Sequence, residues 1–163
     1  LDFSTLGENV ENLLLEGAVG LVGYGNALDN YLRGNGAVNT LYGFGGNDLL
    51  DGSGGGDAMY GEQGDDTLIF GTSDLVVDGG IGTDTARFDA FNTVLDLIGA
   101  PALTSIERLD LQDQGNTLVL DVNALLNLSD TDLLVVDGGA SSAVNAGLGW
   151  QQGDDVMLGG NTY

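Results

Sequence analysis

Asp48, Asp66 and Asp84 stand 18 residues apart, with Asn30 one step ahead of them in the same series. Asp57 falls midway between Asp48 and Asp66, with Asn39 preceding it by 18 residues and Asp74 lying one residue short of the next step. Carboxylates stacked by such spacing repel one another. Little in the chain neutralises them, because it has three arginines (Arg33, Arg87 and Arg108) and no lysine. A divalent cation relieves that repulsion, and its kind follows from what is missing. Without His or Cys, the ordinary zinc and copper sites are excluded. What remains is oxygen, the preference of Ca²⁺, which gathers about six to eight oxygens from carboxylates and backbone carbonyls. The same absences exclude catalysis by Ser–His, Cys–His or Ser–Lys pairs. Paired carboxylates serve glycosidases, but these acids fall at turn positions or on outward strand faces, with no long loop to form a cleft. Gly-rich stretches such as GFGGND lack the Lys of a phosphate loop. The expectation is that this chain is not an enzyme.

The elements that position these residues are written in a period of nine. From Gly25 to Arg87 the blocks are GNALDNYLR, GNGAVNTLY, GFGGNDLLD, GSGGGDAMY, GEQGDDTLI, FGTSDLVVD and GGIGTDTAR. Position one is Gly in six of the seven, at Gly25, Gly34, Gly43, Gly52, Gly61 and Gly79. Position six carries Asn30, Asn39, Asp48, Asp57, Asp66, Leu75 and Asp84. Position eight is apolar throughout, at Leu32, Leu41, Leu50, Met59, Leu68, Val77 and Ala86. Nine residues fit a tight turn of about six and a strand of about three, which is the parallel β-roll. Glycine suits a turn whose backbone angles a Cβ would forbid, and strand alternation sends position eight inward and positions seven and nine outward. Two blocks make one coil. The core is then two facing ladders, Leu32–Leu50–Leu68–Ala86 and Leu41–Met59–Val77. A Gly-rich flexible linker is the plainer alternative, but a linker has no reason to keep an apolar column.

Turns 18 residues apart then lie above one another on the same edge. The first edge should bind best, between the Gly43 and Gly61 turns and between the Gly61 and Gly79 turns. Its candidate ligands are Gly43, Gly45 and Asp48, then Gly61, Gln63 and Asp66, then Gly79, Ile81 and Asp84. The second edge offers Gly52, Gly54, Asp57 and Asp74, a weaker set because Asp57 is its only position-six acid. Asp51 and Asp78, at position nine, suit either hydrogen bonding to turn amides or metal binding, and residue type leaves both open.

These blocks resemble the RTX (repeats-in-toxin) nonapeptide, G-G-x-G-x-D-x-U-x. Gly79-Gly80-Ile81-Gly82-Thr83-Asp84 matches its turn in full, while GFGGND, GSGGGD and GEQGDD each miss one or two glycines. GNALDN and GNGAVN look like degenerate opening repeats. The resemblance covers about 65 residues and implies a Ca²⁺-binding β-roll.

Outside residues 25–88 the period stops. Residues 1–24 contain a strand candidate, Val10 to Glu16, read as an N-terminal cap that covers the open end of the stack. Residues 89–163 are expected to form a mainly β module for capping or ligand binding. Arg87 to Gly99 reads as one or two strands, Thr104 to Asp113 as another and Thr117 to Asp121 as a further one. In Thr104 to Asp113, Ile106, Arg108 and Asp110 should alternate against Glu107, Leu109 and Leu111. Val122 to Ser129 is a short helix with Ala124, Leu125 and Leu128 as its apolar stripe. DLLVVDGG, from Asp132, echoes DLVVDGG, from Asp74, and the last residues suggest a hairpin. SIERLDL, GNTLVLDVNALLNLS and LLVVDGG resemble the module that follows RTX blocks near the C-terminus of large type I-secreted adhesins.

A net charge of −22 excludes a basic nucleic-acid surface and suits a chain that folds when cations bridge its acids. No 18-residue stretch is apolar enough to span a membrane. The opening residues lack the positive n-region of a secretory signal, and the chain is expected to be a piece of a longer protein. The resemblance implies an extracellular or cell-surface module, exported by a type I machine and folding on Ca²⁺ outside the cell, with neighbouring domains as partners. Two other readings remain. One is the C-terminal tail of an RTX exoenzyme (a protease, lipase or polysaccharide-modifying enzyme). The other is a Ca²⁺-dependent glycan- or peptide-binding domain centred on Asp137, Trp150, Asp154 and Asp155, although Trp150 also suits packing over a sheet end.

Overall fold

The structure, a computed structural model, describes residues 3–97, 102–120, 128, 134–146 and 158–159. These form seventeen short strands. They are β1 (Phe3–Thr5), β2 (Asn12–Leu14), β3 (Val22–Asn26), β4 (Tyr31–Arg33), β5 (Thr40–Gly45), β6 (Leu49–Asp51), β7 (Ala58–Gln63), β8 (Thr67–Phe70) and β9 (Val76–Ile81). They continue as β10 (Thr85–Phe88), β11 (Val94–Asp96), β12 (Ala102–Thr104), β13 (Arg108–Asp110), β14 (Thr117–Leu120), β15 (Val135–Asp137), β16 (Ala143–Ala146) and β17 (Leu158–Gly159). Three sheets result. The first runs β1-β3-β5-β7-β9-β12, the second β2-β4-β6-β8-β10-β13-β15-β17, and the third β11-β14-β16. Every strand pair among the described residues is parallel. The chain is an all-β parallel roll.

The register follows the apolar column. Leu32 lies beside Leu50, which lies beside Leu68 and then Ala86, while Leu41 lies beside Met59 and then Val77. All seven are fully buried, and their neighbours on either side are not. Strands of two to six residues suffice because each needs only one or two inward side chains. The two ladders close on each other and remove those side chains from water, at about 1.5–3 kcal/mol per large residue. N-terminally, β1 and β2 extend the two sheets by one strand each, and Leu15 joins the core.

The sheets do not end with the strict period. Leu103 of β12 stacks on Val77, Leu109 of β13 on Ala86, and Val136 of β15 on Leu109. The segment after Phe88 leaves the roll to build the third sheet, whose Leu95 and Leu118 are buried in the same core cluster. The alternation expected across Ile106 to Leu111 is corrected here. Ile106, Leu109 and Leu111 are all fully buried, Arg108 is exposed, and Glu107 is 8% exposed. Ser105, with φ 53°, bends the backbone, and the N–H of Ile106 donates to the carbonyl of Leu128 at 2.6 Å. The regular strand therefore begins only at Arg108. The expected closing hairpin lies outside the described residues except for β17, which pairs with β15 in parallel. Of the expected helix, only Leu128 lies among the described residues, and it is buried. Ala124 and Leu125 lie outside them.

The two outer faces differ. On the first sheet Tyr24, Tyr42 and Tyr60 stack, with ring centroids 5.3 and 4.9 Å apart, and Phe44 lies against Tyr24 and Tyr42. On the second sheet Arg33 pairs with Asp51 at 3.2 Å, Arg87 pairs with Asp110 at 3.2 Å, and Arg108 pairs with Asp137. Such half-exposed pairs each contribute under about 1 kcal/mol. Their consequence is positional: all three cations are engaged away from the turn carboxylates.

Candidate metal centre

The turn acids form columns with a repeating hydrogen bond. The backbone N–H of Asn30 donates to Asp48 Oδ1 at 2.7 Å, that of Asp48 to Asp66 Oδ1 at 2.7 Å, and that of Asp66 to Asp84 Oδ1 at 2.8 Å. On the second edge, Asn39 N–H donates to Asp57 Oδ1 at 2.7 Å and Asp57 N–H to Asp74 Oδ1 at 2.9 Å. Each carboxylate thus holds the coil before it through one oxygen. The other oxygen is the informative one. Oδ2 of Asp48, Asp57, Asp66 and Asp84 is buried with no hydrogen-bond partner, in side chains that are 0–3% exposed. A buried, half-satisfied carboxylate is costly unless something compensates it. Burial pushes Asp48, Asp57 and Asp66 up to about 6. It pushes Asp84 up to about 7, with the charges of Asp66 and Glu107 adding to the effect. In each case the backbone N–H donor pulls the other way without winning.

The glycine column is explained by the same oxygens. A Cβ at Gly43 would collide with Asp48 Oδ2 and approach the carbonyl of Gly61, and at Gly61 it would collide with Asp66 Oδ2 and the carbonyl of Gly79. The position-six side chain folds back over position one, and the next coil's carbonyl arrives in the same space. The need at position one is therefore room. Unusual backbone angles fall elsewhere, at position two (φ 79° at Phe44, 71° at Ser53, 79° at Glu62 and 102° at Gly80) and at the position-four glycines Gly46, Gly55, Gly64 and Gly82. On the second edge the three nearest atoms to a Cβ at Gly52 all belong to Asp57, and at Gly54 nothing lies within 4 Å.

The position-three residues Gly45, Gln63 and Ile81 lie side by side in the β5–β7–β9 ladder, and the Ile81 carbonyl accepts the N–H of Gly64 at 2.9 Å. Asp74 differs from the other acids. Its Oδ1 takes Asp57 N–H and its Oδ2 takes Gly71 N–H at 2.8 Å, so both oxygens are engaged. Asp51 accepts the N–H of Ser53 at 2.8 Å and pairs with Arg33, which places it on a turn amide. Asp137 is paired with Arg108. Trp150, Asp154 and Asp155 lie outside the described residues.

Two features are not evident from the position-six column alone. First, Asn30 and Asn39 satisfy themselves. Asn30 Oδ1 accepts Asn26 N–H at 2.7 Å while its Nδ2 donates to Asn26 Oδ1 at 3.1 Å. Asn39 makes the same pair of bonds with Asn35, at 2.6 and 3.2 Å. An amide N–H stands where a cation would otherwise be needed. The signal was in the sequence, as Asn at positions two and six together. Second, position five builds an exposed ladder of its own: Asp29 Oδ1 accepts Asn47 N–H, Asn47 Oδ1 accepts Asp65 N–H, and Asp65 Oδ1 accepts Thr83 N–H, at 2.7–2.9 Å. It ties each coil to the one after it, opposite in sense to the position-six ladder.

Among the described residues no three acidic side chains gather around one point. Stacking explains this, because neighbouring carboxylates in a column are one strand spacing apart. A cation between coils would take its charge from one or two carboxylates and its remaining oxygens from turn carbonyls. The donor set is all oxygen and the orphaned atoms are anionic, which is compatible with Ca²⁺. No family model, curated protein or solved structure matches the chain.

Proposed function

We propose that this chain is a calcium-binding RTX module of a large extracellular bacterial protein, an adhesin, that folds on Ca²⁺ after type I secretion. The observation that carries the calcium reading is the set of buried, unpartnered Oδ2 atoms on Asp48, Asp57, Asp66 and Asp84. Without a cation these atoms oppose folding, and with one they become its ligands. A chain of net charge −22 resists collapse where calcium is scarce and condenses where it is plentiful. The adhesin and secretion parts rest on the resemblance of the nonapeptides and of SIERLDL, GNTLVLDVNALLNLS and LLVVDGG. In this reading the chain performs no catalysis, and its partners are Ca²⁺ and the neighbouring domains of a longer chain.

The test is far-UV circular dichroism during a Ca²⁺ titration from chelator to about ten millimolar, the weak range of extracellular modules, with Mg²⁺ as control. A cooperative gain of β signal with Ca²⁺ alone supports the reading. Full β signal in chelator at neutral pH would mean that the apolar ladders hold the roll without metal, and the folding switch would be withdrawn.

A further inference from the structure

We infer that the first edge carries one more cation site than the nonapeptides supply, formed above Asp84 by the carbonyl of Ser105 and the carboxylate of Glu107. The inference rests on the calcium reading above and extends it to residues outside the repeat.

At Gly43 and at Gly61 the same two oxygens converge: Oδ2 of the position-six Asp in that turn, and the position-one carbonyl of the next coil. At Gly79 the convergence recurs with Asp84 and the carbonyl of Ser105, although Ser105 belongs to no nonapeptide. The hydrogen-bond ladder continues in step. Asp84 N–H donates to Glu107 Oε2 at 2.8 Å, as Asp48 and Asp66 donate to the Asp above them. Asp84 is fully buried and its Oδ2 has no partner, while Glu107 is 8% exposed. The difference is one of turn length. A nonapeptide places its acid five residues after position one, whereas Glu107 comes two residues after Ser105. The shorter turn, bent at Ser105 with φ 53°, still brings Glu107 into register beside Asp84, since Arg108 pairs with Thr85 and its N–H donates to the Asp84 carbonyl at 3.0 Å.

Glu107→Gln separates a ligand from a structural cap, because a Gln Oε1 still accepts the N–H of Asp84 but carries no charge. Calcium bound per chain is counted by native mass spectrometry on wild type and variant, both in saturating Ca²⁺. The expected result is one ion fewer in E107Q, with the β signal retained. In parallel, the ¹³C shift of the Ser105 carbonyl is followed in isotope-labelled wild type over Ca²⁺ concentrations at which the β signal has already saturated, which reports ligation apart from folding even if the variant fails to fold. The expected result is a downfield shift that saturates with binding. An unchanged ion count in folded E107Q, or an unmoved Ser105 carbonyl while Asp48 and Asp66 respond, overturns the extra site and leaves the nonapeptide sites intact. A wild type that binds no Ca²⁺ overturns both this site and the reading beneath it.

Discussion

Asp66→Asn tests the half-satisfied carboxylate most directly, because it should act in opposite directions with and without metal. Asn retains the Oδ1 that accepts Asp48 N–H, so the coil-to-coil bond survives. What changes is Oδ2, which becomes an uncharged amide nitrogen. Asp66 is 1% exposed, and burial moves its carboxyl from 3.8 to about 6. Holding it ionised at neutral pH therefore costs on the order of 3 kcal/mol, discounted by whatever the new amide fails to donate to. In chelator at pH 7.5, D66N should be the more folded protein, by about 1–3 kcal/mol. In Ca²⁺ the order reverses. Asp66 borders the proposed sites on both sides of its coil, and loss of its charge should weaken calcium binding by about ten- to hundredfold, since such sites are tuned by ligand charge. The assay is β signal and thermal midpoint by circular dichroism, on both proteins, in chelator and at about ten millimolar Ca²⁺. Equal destabilisation in both conditions would refute the argument, because Asp66 would then be a hydrogen-bond acceptor whose second oxygen costs nothing.

The pH dependence has a definite sign. Folded-state values near 6 to 7 lie above the unfolded 3.8, so the folded chain binds more protons between them and the metal-free roll should lose stability as pH rises from about 4 through 7. A pH series of melts in chelator checks this, and apparent Ca²⁺ affinity by titration calorimetry should fall over the same range on acidification, as protons compete for the oxygens. Gly61→Ala drives a methyl into Asp66 Oδ2 and the carbonyl of Gly79. It should cost at least about 2 kcal/mol and blunt calcium-induced folding in the same dichroism titration. Glu62→Gly removes a strained left-handed residue, φ 79°, and should stabilise the calcium form by up to about 1 kcal/mol in urea melts. Asn30→Asp replaces a self-satisfied amide with another buried carboxylate, so thermal melts should show a loss of about 1–3 kcal/mol in chelator and partial recovery in Ca²⁺.

What the sequence revealed best is what depends on a strict period. The position-eight ladders, the two edges and the Asp columns follow from spacing alone, because a solenoid maps a sequence interval onto a spatial neighbour. The role of the position-one glycines was less legible. Composition suggests backbone freedom, but the side chain of Asp48 or Asp66 folding over its own turn creates a need for space, and only coordinates reveal that. The coils after Phe88 were hidden for another reason. Inserting the third sheet lengthens the step from Asp84 to Glu107 to 23 residues, so no fixed window finds Glu107. The Tyr24–Tyr42–Tyr60 stack also follows the 18-residue interval, on an outward column that the turn motif does not mark.

The opposed ladders of positions five and six have a mechanical consequence. Within the repeat these bonds tie each coil to the one before it and the one after it. Tension along the chain would therefore peel coils singly from an end. Each 18-residue coil released adds about 60 Å of slack, an extension that dissipates load in small repeated steps. Cations seated between coils would set the force of each step, making the ionic composition of the medium a control on how far a tethered molecule stretches before it yields.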